Sequence, residues 1–107
     1  MHLSDEGILT QLGYPATEAN LEQLRKVRAN TPSFSKIENH IVALADHLRP
    51  YGGYIAFSSS KPLLKVKLDP AKDPQKALEI LTHWAHKYNV SLQCAKEGET
   101  YYVVGVS

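Results

Sequence analysis

The sequence predicts an α+β fold with one four-stranded antiparallel sheet, and three observations carry that expectation. Through the first half, apolar residues recur at spacings of three and four, the period of helices. From Tyr54 onward the period shortens to two, most clearly where Leu64, Val66 and Leu68 alternate with Lys65 and Lys67. A single helical stripe, Ala77, Leu81, Trp84 and Tyr88, then divides the alternating segments into two pairs. The chain has 107 residues, of which 27 are Leu, Ile, Val or Phe, and this predicts one domain over 1–107 with one core.

Each element has its own signals. Ser4 is placed to cap a first helix, with Asp5 and Glu6 in its first turn and Gly13 and Pro15 as stops. Thr17 caps a second helix to about Asn30, lined by Leu21, Leu24, Val27 and Arg28. Thr31-Pro32 breaks the chain, and Ser35 with Glu38 forms the spacing of a capping box. A third helix follows, with Ile37, Ile41, Leu44 and Leu48 on one face and His40 and His47 flanking them. Pro50 and Gly52-Gly53 end it.

Tyr54 to Ser59 is a strand candidate, and Ser60-Lys61-Pro62 a turn before the Leu64–Leu68 strand. Asp73-Pro74 opens the fourth helix, because Asp caps and Pro suits the first helical position. Asn89 stops it. Val90, Leu92 and Cys94 then alternate with Ser91 and Gln93, which predicts an inward-facing Cys94. Glu97-Gly98-Glu99 turns the chain into a last strand, Thr100 to Val106.

The resulting order is αααββαββ: a helical hairpin over 1–32, then an αββαββ unit over 35–107. That unit resembles a ferredoxin-like fold, βαββαβ, circularly permuted so that its first strand comes last. The resemblance implies a two-layer sandwich with strand order β1-β2-β4-β3 and the third and fourth helices on one face. The Leu12-Gly13-Tyr14 loop and the capped helix after it resemble the first two helices of ubiquitin-associated domains. The second helix here is longer than that family's, and the plainer expectation is a hairpin packed on its own domain.

Composition excludes several function classes. With 12 basic and 11 acidic residues the formal charge is +1, too little to hold duplex DNA or an anionic membrane by charge alone. One cysteine excludes an intramolecular disulfide framework and a Cys-based zinc cluster. No apolar run nears the about 18 residues that a membrane span needs. No signal peptide is expected, and the expected setting is the cytoplasm.

No residue pattern announces catalysis. Cys94 is expected on the buried face, where a free thiol acts as a small apolar residue, Ser58-Ser59-Ser60 lacks a nucleophile-elbow pattern, and no carboxylate pair stands out. The expectation is a chain that is not an enzyme by itself, with no cofactor and no small-molecule substrate. A metal-dependent enzyme is the alternative that Glu79, His83 and His86 raise, since their spacing of four and three places them together on the fourth helix. That face is expected to be an ordinary solvated one, turned away from Leu81 and Trp84. A helix-turn-helix DNA reader is disfavoured, because Glu18 and Glu22 occupy the end of the second helix where base contacts would form.

The outer face of the sheet carries the main functional expectation. Lys65 and Lys67 point outward if Leu64, Val66 and Leu68 point inward. Tyr101, Tyr102, Val103 and Val104 are apolar or aromatic without a break, so either Tyr101 with Val103 or Tyr102 with Val104 and Val106 faces out. An apolar patch rimmed by Lys65 and Lys67 predicts a protein partner or a homodimer. The alternative is single-stranded nucleic acid stacked on an exposed tyrosine between lysines. No run like the Lys/Arg-Gly-Phe-Gly-Phe signature supports that alternative.

Overall fold

A computed structural model describes residues 4–58 and 60–107. Four α-helices and four strands follow the predicted order: α1 Asp5–Leu12, α2 Glu18–Asn30, α3 Glu38–Leu48, β1 Gly53–Phe57, β2 Leu64–Leu68, α4 Pro74–Lys87, β3 Val90–Lys96 and β4 Thr100–Val106. Short 3₁₀ turns at Phe34–Lys36 and Arg49–Tyr51 flank α3. Ser59, placed at the end of the first strand from sequence, lies outside the described residues.

The helix starts follow their local chemistry. The Ser4 hydroxyl accepts the Gly7 N–H at 3.1 Å, that of Thr17 accepts Asn20 N–H at 3.2 Å, and the Asp73 carboxylate accepts Lys76 N–H at 3.1 Å. Each satisfies a backbone donor that the first turn of a helix leaves free. Gly13 closes α1 at φ 94°, a left-handed conformation that glycine adopts at little cost.

The capping box is not formed. Residues 34–36 tighten into a 3₁₀ turn, and α3 begins after Ile37 without a side-chain cap. Glu38 is 4% exposed, and its carboxylate is drawn to the Arg28 guanidinium at 3.3 Å. Arg28 also holds Asp5 at 2.7 Å, so one cation ties α1, α2 and α3 together. The hydrogen bond to Asp5, with both carboxylates' charge, raises the Arg28 pKa above its ordinary value.

The strands form one sheet in the order β1-β2-β4-β3, antiparallel throughout. Leu64, Val66 and Leu68 are buried with Ile55 and Val103, under Ile41, Leu44 and Leu48 of α3 and Ala77, Leu81 and Trp84 of α4. The N-terminal hairpin joins this core through Ile8, Leu9, Leu24 and Val27. α1 lies against α3 and edge strand β1. The Tyr14 hydroxyl accepts the Phe57 N–H at 3.4 Å, and its ring meets Phe57 at 5.1 Å.

β2 pairs with β4 only from Lys65↔Tyr102 to Lys67↔Thr100. The remainder of β4 runs past it, and the Pro32 carbonyl accepts the Val106 N–H at 3.0 Å in place of a β2 partner. On β4's other side the register with β3 shifts between Ser91↔Gly105 and Leu92↔Val103. Val104 is the extra residue of that bulge.

Candidate functional site: the outer face of the sheet

The bulge settles the phase of β4. Val103 is 0% exposed and belongs to the core, and Tyr101 packs on the core with its hydroxyl accepting Gly98 N–H at 2.8 Å. Tyr102 and Val104 take the opposite side, both half-buried. Val106, one register step beyond the bulge, returns to the core. Of the six residues assigned to this surface from sequence, the structure brings together Lys65, Lys67, Tyr102 and Val104. Tyr101 and Val103 face the core, which is the second of the two expected phases for Tyr102 and Val104, but Val106 departs from it by packing on the core.

Strand register sets the remaining neighbours. One row across the outer face runs Ala56, Lys65, Tyr102 and Gln93, and the next runs Tyr54, Lys67, Thr100 and Lys96. Tyr54 is 51% exposed, the largest exposure of any big apolar side chain among the described residues. Strand spacing and rise put Tyr54 and Tyr102 roughly 12 Å apart. Neither row contains a carboxylate; Glu99 and Asp69 sit beyond the Tyr54 end, and Glu99 is paired with Lys96 at 2.7 Å. Lys65 and Lys67 are in no ion pair among the described residues.

Tyr102 sits in a polar, positive corner. Its hydroxyl is 3.4 Å from the Ser58 hydroxyl, and the Lys61 ammonium rests 4.8 Å from its ring centre. Hydrogen bonding from Ser58, then Ser60, with the charges of Lys61 and Lys65, pulls the Tyr102 pKa below the ordinary tyrosine value. The ultraviolet absorbance titration is therefore expected to lose amplitude below the ordinary tyrosine range in Tyr102→Phe. An unchanged low-pH part of the titration in Tyr102→Phe would show that the Tyr102 phenol is not the perturbed one.

The other sequence candidates separate. Glu79 and His83 lie on the wall of a groove between α3 and α4, about 760 Å³ in volume, with Asp46 and His47 opposite and Trp84 and Tyr88 in its lining. His86 is not part of that groove. Glu79 is instead 3.8 Å from Lys76. Among the described residues no three His, Cys, Asp or Glu side chains converge to hold a metal ion, so the Glu79, His83 and His86 cluster is not assembled as a site. His40 stacks on Tyr88 at 4.1 Å. Cys94 is exposed, contrary to the expectation. It follows Leu92 in alternation, but β3 is an edge strand and only its first residues, Val90 and Leu92, pack on the core.

Sequence reasoning found the two lysines and missed Tyr54 and Lys61. Tyr54 begins a short strand whose alternation, Tyr54 polar-side and Ile55 apolar-side, was available to locate it. Lys61 joins Tyr102 only through the turn's three-dimensional path. No protein-family model matches the chain, and no match is found among the curated proteins or the solved structures.

Proposed function

We propose that this chain is a non-catalytic binding module whose open sheet face takes single-stranded nucleic acid. One observation carries the reading: two tyrosines and two unpaired lysines share an outer face whose two rows contain no carboxylate. Bases stack on aromatic rings whatever their sequence, while lysines track the phosphates. Modest net charge is compatible with this, because the acidic groups are drawn off elsewhere: Glu18 and Glu22 to Arg25, Asp5 and Glu38 to Arg28, Asp46 to Arg49.

The protein-interface reading has less support, because Val106 packs on the core and Val104, half-buried, does not by itself make an apolar patch. On the fold, we read the order β1-β2-β4-β3 as a permuted ferredoxin-like, two-layer arrangement, which that strand order supports.

The test is a titration of a labelled single-stranded homopolymer across a range of salt. Binding is expected to weaken steeply as salt rises. The Lys65→Ala, Lys67→Ala double variant should flatten the log–log salt slope by about 1.4, at about 0.7 per phosphate contact. An unchanged slope would remove the lysines from the contact. Self-association that ignores salt and is lost in Val104→Asp would return the face to a protein partner.

A further inference from the structure

The sheet face continues at its Ser58 end into a small polar pocket of about 220 Å³ between α2 and the β1–β2 turn. Gln23 and Lys26 line it from α2, and Ser58, Ser60, Lys61 and Pro62 from the turn. The Ser58 hydroxyl organises the turn by accepting N–H groups from Ser60 at 3.3 Å and Lys61 at 3.2 Å. It also lies 3.3 Å from the Ser60 hydroxyl and 3.4 Å from that of Tyr102. Two serines, a glutamine and two lysines therefore line one concavity without a lining carboxylate.

Neither Lys26 nor Lys61 is in an ion pair among the described residues, and the carboxylates beside Lys26 on α2, Glu18 and Glu22, are held by Arg25 at 3.0 and 3.5 Å. With Lys65 and Lys67, four lysines that are in no ion pair among the described residues run from this pocket to β2.

We propose that the pocket seats one phosphate group, with Lys26 and Lys61 as its cations and the Ser60 hydroxyl and Gln23 amide as neutral donors; the proposal rests on the nucleic-acid reading of the adjoining face. The donor set selects phosphate over a carboxylate. A planar carboxylate is best matched by the fork of an arginine, and the pocket has none. Lysines are point charges and hydroxyls rotate, so donors from separate walls suit a tetrahedral anion. Lys61 is also the link to the face: its ammonium now rests on the Tyr102 ring, and a base stacking there displaces it toward the pocket.

Two sources supply such a group, an internal phosphodiester or a terminal phosphate, and the experiment separates them. Inorganic phosphate is titrated into the labelled protein while the backbone amide resonances of Ser60 and Lys61 are followed. Oligonucleotide binding is then measured with and without a terminal phosphate, in the unmodified chain and in the Lys26→Ala, Lys61→Ala double variant. Both lysines are exposed, so the variant is expected to unfold at the same temperature as the unmodified chain. Inorganic phosphate should shift the Ser60 and Lys61 resonances in the unmodified chain only. The variant's salt slope should flatten by about 0.7, one phosphate's worth. A terminal phosphate that tightens binding only while the lysines are present identifies the terminal source; equal binding with and without it identifies the internal one. Unshifted resonances together with an unchanged slope overturn the pocket while leaving the sheet face standing. Shifted resonances in a chain that binds no oligonucleotide uphold the pocket and overturn the face.

Discussion

Replacing Trp84 with alanine is expected to cost about 3–5 kcal/mol of stability, with the result nearer the lower figure. The indole is 7% exposed and seals α3 against α4. Its N–H donates to the His40 carbonyl at 3.2 Å, and its ring meets Tyr88 at 5.7 Å. Tyr88 in turn stacks on His40, so one aromatic cluster clasps both helices. Truncation removes the ring's buried area and the hydrogen bond together. The α3–α4 groove beside it lets water reach part of the space, which is why the loss should not exceed the range. Urea unfolding followed by circular dichroism measures this; fluorescence cannot, because Trp84 is the chain's sole tryptophan. Trp84→Phe keeps a ring and loses the donor, and about 1 kcal/mol is expected from the bond alone. A loss under 1 kcal/mol for Trp84→Ala would mean that α4 turns another face to the core.

The elements that were legible in the sequence are those decided locally. Ser4, Thr17 and Asp73 cap helices because the bond each makes lies within three residues. The β2 pattern was legible because lysines and apolar residues alternate without a break. Glu38 shows where this stops. Its sequence neighbours favour a capping box, but Arg28, ten residues away, takes the carboxylate instead. β4 shows a second limit, since Tyr101 to Val104 has no polar member to mark the outside and the bulge against Leu92 makes the decision. Cys94 shows a third: alternation names a side of a sheet, and how far a helix reaches decides whether that side is buried. The site divides in the same way. Lys65 and Lys67 follow from alternation alone, whereas Tyr54, Lys61 and Lys26 are brought near Tyr102 by register and by the placement of α2.

Tyr54→Ala is expected to weaken single-stranded nucleic-acid binding by about 1–3 kcal/mol, roughly 5- to 150-fold, while leaving the salt slope unchanged. Stacking is uncharged, so removing a ring lowers affinity equally at every salt concentration. Removing Lys65 and Lys67 instead changes how affinity depends on salt, and the two variants therefore separate the two halves of the proposed contact. Tyr54 suits the measurement because its side chain is half in water on edge strand β1, where substitution should change stability by no more than about 0.5 kcal/mol. Tyr102 requires more care, since its hydroxyl also touches Ser58. Tyr102→Phe keeps the ring and should retain most of the affinity, so a large loss there would assign the effect to the hydroxyl and its contact with Ser58. If Tyr54→Ala binds as the unmodified chain does, with the same salt slope, no base stacks on this ring. The face would then be an electrostatic surface that recognises phosphates alone.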